Sequence, residues 1–251
     1  MDRTHSKLLD MTLNWIDEEK FLKAVQVNPD AELVDVKVDG MNSFKMYRNF
    51  MKYPDLFGEI MEQFPIISTQ WRKTGGFAPG WRQEIPPWAA ATIVEKIRED
   101  VDFAPVRVFT NIFNSEMPMV QDSHMPHADT FVDPEGGLNI INFVFNLWLN
   151  QGIGGTAFWK YKGKKYVAEL TKEEYEELYP IEEKPVVTWR NFRGDDDWEL
   201  DTIAPIEYNS CLIYDGGFFH SPYIPEEAFL DEYRYSLVGM GIRDPKGVAN
   251  D

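Results

Sequence analysis

Residues 126–131, with the sequence PHADTF, place a histidine and an aspartate two positions apart. On an extended segment the side chains of residues i and i+2 leave the same face of the chain, so His127 and Asp129 could both reach one metal ion. A polar turn is the alternative interpretation, because a single His-x-Asp also arises by chance. The pair therefore predicts a metal site only together with further ligands.

His220 is the candidate for the third ligand. It is one of only four histidines, lies 91 positions after Asp129 (220 minus 129), and ends the apolar run SCLIYDGGFFHS. A strand in this run would bring the imidazole to one end of a barrel. Two imidazoles and one carboxylate on one face of a metal leave the opposite positions open, which is the arrangement of non-haem Fe(II) oxygenases. A strand-end histidine that bonds only to the backbone is the competing interpretation.

Arg234 follows His220 by 14 positions (234 minus 220), inside the apolar, strand-like run YRYSLV. A guanidinium on a buried strand requires a partner, and its planar fork of donors matches a carboxylate. Ser236 is two residues further on the same strand face and can add a hydroxyl donor. These residues suit the carboxylate of an oxo-acid cosubstrate, whereas a structural ion pair with Asp231 or Glu232 is the alternative.

The elements that would position these residues are mainly β-strands. From Pro105 onward, short β-branched and aromatic runs alternate with Gly, Asn, Asp and Pro, which predicts a sandwich or jelly roll. Strands are predicted near residues 33–38, 106–114, 140–149, 156–161, 166–167, 186–189, 210–214, 218–221 and 233–242. Helices are predicted over 54–64, 88–100 and 171–179, the last opened by a Thr-x-x-Glu capping box.

Taken in order, four stretches resemble the Fe(II)- and 2-oxoglutarate-dependent dioxygenases, in particular the branch similar to prolyl hydroxylases. They are PHADTF, then NFVFNLWLNQGIGGTAFW, then YNSCLIYDGGFFHSPY, then the Arg-x-Ser of YRYS. The resemblance covers roughly the last three fifths of the chain, and its specificity comes from all four stretches together.

This resemblance implies a mainly β fold with flanking helices: a double-stranded β-helix (jelly roll, cupin-like) core with an N-terminal α/β support. It also implies that Fe(II), 2-oxoglutarate and O2 hydroxylate a substrate with release of succinate and CO2. The carboxylate of Asp129 favours hydroxylation over halogenation, because related halogenases lack it. The implied iron ligands are His127, Asp129 and His220, and the implied 2-oxoglutarate contacts are Arg234, Ser236 and Asn146.

The chain has no internal repeat or Pro/Ser-rich linker, so we expect one oxygenase domain over residues 1–251. In it, residues 1–104 form the helical and strand support and residues 105–243 the core. A long insertion over about 161–207 departs from the family pattern and carries the acidic run 195–197; it could be a lid or an edge decoration. His124 is interpreted as a loop residue or an outer contact of the metal site.

Composition limits the partners. The 251 residues are 43% hydrophobic, enough for a sizeable core, and 25 Lys and Arg stand against 42 Asp and Glu, a formal charge of -17. Such a surface repels nucleic acid and anionic membranes. The N-terminal residues show no signal-peptide pattern and Cys211 is the only cysteine, which together predict a reducing, cytoplasmic setting.

We therefore expect an oxygenase that acts on a small molecule, an amino acid or a peptide. Two other classes stay open at this stage. A cupin-type metalloenzyme that does not use 2-oxoglutarate would share the histidines but would have no need of Arg234 and Ser236 on a strand. A non-catalytic jelly-roll binding module would bind no metal.

Overall fold

The protein is mostly β with a few helices. The structure is a computed structural model, and it describes residues 17–36, 44–63, 67–68, 81–85, 87–113, 118–120, 126–132, 138–140, 143–148, 154–179, 186–188, 193–205, 207–225, 228–229 and 233–242. The strands are β1 (Glu32–Val36), β2 (Phe44–Arg48), β3 (Ile67–Ser68), β4 (Trp81–Glu84), β5 (Ala104–Phe113), β6 (Pro118–Val120), β7 (Thr130–Val132), β8 (Leu138–Ile140), β9 (Phe143–Trp148), β10 (Gly155–Tyr161), β11 (Val186–Thr188), β12 (Trp198–Pro205), β13 (Cys211–Tyr214), β14 (His220–Tyr223) and β15 (Arg234–Ile242). The helices are α1 (Glu18–Ala24), α2 (Pro54–Met61), α3 (Pro87–Arg98) and α4 (Lys172–Leu178), with a 3-10 turn at Val167–Glu169.

The largest sheet has eight antiparallel strands in the order β1-β2-β13-β9-β15-β5-β4-β3. Helices α1, α2 and α3 cover one of its faces, because each carries an apolar stripe that must be buried. The stripe of α2 illustrates this, with Phe57, Ile60 and Met61 buried at helical spacing after Pro54 at the first turn. Cys211 of β13 is fully buried in this layer.

A smaller sheet, in the order β12-β10-β14, covers the other face of the large one. Phe158 of β10 stacks on Phe44 of β2 with ring centroids 4.6 Å apart, and both belong to a cluster that also contains Leu212 and Val238 of the large sheet. The two sheets therefore share one apolar interior.

The region predicted as an insertion is folded against the outer face of the small sheet. Trp159 and Tyr161 of β10 pack there with Val167, Trp198 and Phe219. Helix α4 adds Tyr175 and Leu178 to this cluster, and its capping box is formed by Thr171 and Glu174 as predicted. The same region also contains β12, which pairs with β10 and completes the small sheet.

Most predicted elements are confirmed within a few residues, and the exceptions are informative. The strand predicted at 166–167 is instead an isolated bridge between Tyr166 and Phe218, followed by the 3-10 turn. The strand predicted at 218–221 begins at His220 and runs to Tyr223. The sequence patterns do not predict helix α1 or the strands β2, β3, β4, β6, β7 and β12. Among the helices of the described residues, none has the length and apolar character needed to cross a bilayer.

Candidate metal centre

The three predicted metal ligands meet at one point of the structure. His127 and His220 form an antiparallel bridge: the N–H of His127 donates to the carbonyl of His220 at 2.9 Å, and the reverse bond measures 2.8 Å. Their imidazole ring centroids are 4.7 Å apart. Asp129 projects toward the same point, because side chains two positions apart on an extended segment share a face.

The potential ligand atoms converge at distances that fit a single ion. Asp129 Oδ1 lies 3.7 Å from His127 Nε2, and Asp129 Oδ2 lies 3.4 Å from His220 Nε2. One ligand atom from each of the three residues can be chosen so that all lie within 4.8 Å of one another. Neighbouring ligands about 2.1 Å from a first-row metal are about 3 Å apart in an octahedral shell. A small inward movement would therefore give a three-ligand face.

The ring of His220 is held in the orientation that a metal ligand needs. Its Nδ1 lies 2.8 Å from the carbonyl oxygen of Phe218, so the proton of the neutral ring belongs on Nδ1. That leaves the lone pair of Nε2, the atom nearest Asp129, for coordination. The side chain is buried, with 5% of the residue exposed.

The backbone between His127 and Asp129 is also held in place. The N–H of Asp129 donates to the carbonyl of Gly216 at 2.8 Å. The N–H of the buried Ala128 donates to the hydroxyl of Tyr179 at 3.0 Å. Tyr179 follows helix α4, so the predicted insertion contacts the ligand segment directly. Sequence analysis missed this tyrosine, because no local motif marks a hydroxyl that bonds 51 positions away.

Arg234 and Ser236 lie at alternate positions of β15 and are each only 2% exposed. The guanidinium donates from Nη2 to the carbonyl of Gly155 at 3.0 Å. Burial lowers the pKa of Arg234 to about 9, because the charged form has lost much of its hydration. An anion placed against this group would stabilise its charge.

Tyr214 packs beside the predicted metal ligands. Its ring lies edge-on against His220 with centroids 5.0 Å apart. It also packs edge-on against Phe158, with centroids 5.3 Å apart. Arg234 and His220 both adjoin strand β10, since Arg234 bonds to Gly155 of that strand and His220 pairs with its Phe158.

Other predicted residues are located less completely. Asn146 lies in β9, where its backbone is opposite Val238 and Leu212, and its contact with a cosubstrate stays a prediction. His124 lies outside the described residues, as do Asp231 and Glu232, the alternative partners of Arg234.

No protein-family model and no curated protein sequence matches this chain. Similar solved structures include HygX from Streptomyces hygroscopicus with nickel, 2-oxoglutarate and hygromycin B bound (10% identity, 90% of this chain and 87% of that chain, TM-score 0.43). Another is an oxidoreductase of the 2OG-Fe(II) oxygenase family from Burkholderia pseudomallei (11%, 90% and 79%, TM-score 0.33). A third is the non-heme alpha ketoglutarate dependent epimerase SnoN from nogalamycin biosynthesis (14%, 93% and 80%, TM-score 0.34). At TM-scores this low the likenesses do not establish a shared fold.

Proposed function

We propose that the protein is an Fe(II)- and 2-oxoglutarate-dependent oxygenase. The observation that carries this proposal is the convergence of His127, Asp129 and His220, whose ligand atoms lie within 4.8 Å of one another. Their separation of 93 positions along the chain (220 minus 127) argues against a local polar turn, since the fold itself must bring them together.

The donor set fits iron in particular. Two imidazoles with one carboxylate are the facial ligands of non-haem Fe(II) oxygenases, whereas a structural zinc site is usually closed by four ligands with cysteine prominent. The single cysteine of this chain is buried in the layer between the large sheet and the helices, away from the triad cluster. A three-residue face leaves room for a chelating cosubstrate and for O2.

Arg234 supports 2-oxoglutarate as that cosubstrate. A carboxylate can accept two parallel hydrogen bonds from a guanidinium, and the hydroxyl of Ser236 stands two positions further along the same strand. We infer that these two residues bind the distal carboxylate, with Tyr214 filling the space beside His220 and Asn146 contributing from β9. A cupin-type metalloenzyme without 2-oxoglutarate would have no need of Arg234 and Ser236 on this strand.

In this proposal, bound iron with 2-oxoglutarate supplies the oxidation of a substrate C–H bond, with release of succinate and CO2. The residues of the chain orient and insulate that chemistry. The triad holds three ligands on one side of the ion, Arg234 holds the cosubstrate, and the apolar residues between the sheets exclude water.

The proposal extends to the architecture and the substrate. We propose that the two sheets form a double-stranded β-helix within a single oxygenase domain, and that hydroxylation is the outcome. The substrate would be a small molecule, an amino acid or a peptide. A formal charge of -17 favours neutral or cationic substrates over anionic ones.

An anaerobic titration of the metal-free protein tests the function. We expect Fe(II) followed by 2-oxoglutarate to produce the weak visible charge-transfer band of the chelated cosubstrate, and we expect Asp129→Ala to abolish it. Binding of Fe(II) without a band would favour the cupin-type alternative, and no metal binding would favour a non-catalytic module. Succinate release would then screen for the substrate.

A further inference from the structure

Residues 215–218, with the sequence DGGF, form a turn between β13 and β14 that contacts two of the three metal ligands. We call it the DGGF turn. The carbonyl of Gly216 accepts the N–H of Asp129 at 2.8 Å, and the carbonyl of Phe218 lies 2.8 Å from His220 Nδ1. These ligands come from chain segments 91 positions apart, so one four-residue turn sets the backbone position of one and the ring orientation of the other.

The side chain of Asp215 shapes this turn. Its Oδ1 accepts the N–H of Gly217 at 2.8 Å, the i to i+2 bond of an Asx turn, and its backbone carbonyl accepts the N–H of Phe218 at 3.2 Å. Tyr166 donates its hydroxyl to the same Oδ1 at 3.1 Å. One carboxylate oxygen thus joins the turn to a residue of the predicted insertion.

Tyr166 packs closely on the turn as well as bonding to it. Its backbone bridges Phe218, and the two rings are 5.1 Å apart in an edge-on contact. A Cβ atom on Gly217 would lie 2.3 Å from Cζ of Tyr166, so only glycine leaves room for the ring. The next residue, Val167, donates its N–H to the carbonyl of Gly217 at 2.9 Å. The DGGF turn is therefore fixed by hydrogen bonds to Tyr166 and Val167 as well as by those to Asp129 and His220.

We propose that Asp215 is a positioning residue of the metal centre and that Tyr166 completes its action. This inference rests on the proposed function. When the Asx turn relaxes, the carbonyls of Gly216 and Phe218 shift together, and Asp129 and His220 lose their relative alignment. Outer contacts that orient metal ligands typically contribute 10- to 100-fold in metal affinity.

The role assigned to Asp215 is that of a hydrogen-bond acceptor, which distinguishes it from a role of its charge. Asparagine keeps the carbonyl Oδ1 and lacks the charge, whereas alanine removes the acceptor. We therefore expect Asp215→Asn to restore what Asp215→Ala loses. Tyr166→Phe keeps the ring on Gly217 and removes only the hydroxyl, so we expect a weaker effect of the same kind.

The experiment measures the Kd for Fe(II) by anaerobic titration of the full chain, together with the visible spectrum of the Co(II)-substituted protein. We expect Asp215→Ala to weaken Fe(II) binding by roughly 10- to 100-fold and to shift the Co(II) bands, which report ligand geometry. Asp215→Asn should match the parent in both measurements. Tyr166→Phe should shift the bands and raise the Kd several-fold.

Asp195 offers a matched control. Its Oδ1 accepts the N–H groups of Asp197 at 2.9 Å and Trp198 at 3.0 Å, so it also builds an Asx turn, and within the described part of the chain no hydrogen bond joins that turn to the triad. We expect Asp195→Ala to lower thermal stability while the Fe(II) Kd and the Co(II) spectrum stay at parent values.

The outcomes separate this inference from the proposed function. If the parent binds no metal, both are overturned. If the parent binds Fe(II) and Asp215→Ala has the same Kd and spectrum, the inference alone is overturned. Should Asp215→Ala fail to fold, Tyr166→Phe decides, and a parent-like Kd and spectrum in that variant would overturn the inference.

Discussion

His127 and His220 hydrogen-bond to each other through both of their backbone amides, although 93 positions (220 minus 127) separate them. This isolated bridge sets the spacing of the two residues through backbone hydrogen bonds alone, which need no metal ion. In the proposed iron site, this organisation means that only small side-chain movements would accompany metal binding, which favours affinity by reducing the cost of ordering.

The first prediction concerns Asp129. Replacing it with alanine removes the only carboxylate of the triad, so we expect Fe(II) affinity to fall by at least roughly 100-fold and the rise in Tm caused by Fe(II) to disappear. Anaerobic calorimetry and a thermal melt with and without Fe(II) would measure both effects. Asp30→Ala, at an exposed aspartate, serves as the control. Full metal affinity in Asp129→Ala would refute the triad.

The second prediction concerns Arg234. Lysine in its place keeps a positive charge but lacks the planar fork, so we expect the Kd for 2-oxoglutarate to rise by about 10- to 100-fold while Fe(II) binding is retained. The charge-transfer band, followed as a function of 2-oxoglutarate, would measure this Kd. Arg48→Lys is the control, because it makes the same change in an exposed ion pair with Glu207. We expect it to leave the Kd for 2-oxoglutarate unchanged. An unchanged Kd in Arg234→Lys would place the cosubstrate elsewhere.

The third prediction concerns Tyr179. Phenylalanine removes the acceptor of the Ala128 N–H, so we expect a loss of about 1 kcal/mol in the free energy of unfolding and several-fold weaker Fe(II) binding. Chemical denaturation and metal titration are the measurements. The control is Tyr175→Phe, since the two rings pack 4.9 Å apart and the Tyr175 variant keeps that contact. If the two variants have the same free energy of unfolding and the same Kd for Fe(II), a specific role of the Tyr179 hydroxyl is contradicted.

A pH dependence follows for the same pair of variants. Burial raises the pKa of Tyr179 above its ordinary value. At high pH the folded protein therefore keeps the hydroxyl proton of Tyr179, whereas the unfolded chain loses it. The unfolded state then binds fewer protons, and the free energy of unfolding falls as pH rises above about 10, by about 1.4 kcal/mol at pH 11. We expect denaturation at pH 7 and pH 11 to show a smaller loss in Tyr179→Phe than in Tyr175→Phe. If both variants lose the same free energy of unfolding between pH 7 and pH 11, the raised pKa of Tyr179 is contradicted.

The last prediction concerns Gly155, whose carbonyl accepts the bond from Arg234. A Cβ atom there would lie 2.3 Å from the carbonyl oxygen of Ala204, a backbone atom of the paired strand β12. We expect Gly155→Ala to destabilise the protein by about 2 kcal/mol and to weaken 2-oxoglutarate binding. Gly58→Ala in helix α2 meets nothing within 4 Å and should stabilise by roughly 0.5–1 kcal/mol. Thermal or urea unfolding would measure the stability of both variants. If Gly155→Ala leaves the free energy of unfolding unchanged, the close approach of the Gly155 and Ala204 backbones is contradicted.

The sequence could predict the candidate site residues that share one face of an extended segment. His127 and Asp129 share a face because the repeat of an extended chain is two residues, and Arg234 and Ser236 follow the same rule. Strand β12 was not predicted for two reasons. A register shift opposite Phe158 and Trp159 interrupts its alternation, and the largely buried Asp201 interrupts its apolar pattern. Helix α1 escaped because only Phe21 and Ala24 of its seven residues are buried.

The hydrogen bonds proposed to orient the metal ligands could not be predicted from the sequence. Tyr179 bonds to Ala128 across 51 positions, and Tyr166 bonds to Asp215 across 49. Each is a single hydrogen bond between common residue types, so no spacing rule marks it. Only the folded arrangement of the two sheets with the segment beside them brings such pairs together.

The burial of Cys211 makes the protein convenient for labelling. It is the only cysteine of the chain, its side chain is fully enclosed between the large sheet and the helices, and burial raises the pKa of its thiol, so little reactive thiolate forms. A cysteine introduced at an exposed position of helix α4, such as Glu173, would then react alone with a maleimide probe. A fluorophore or spin label attached there could follow helix α4 as substrates arrive, without first removing the native thiol.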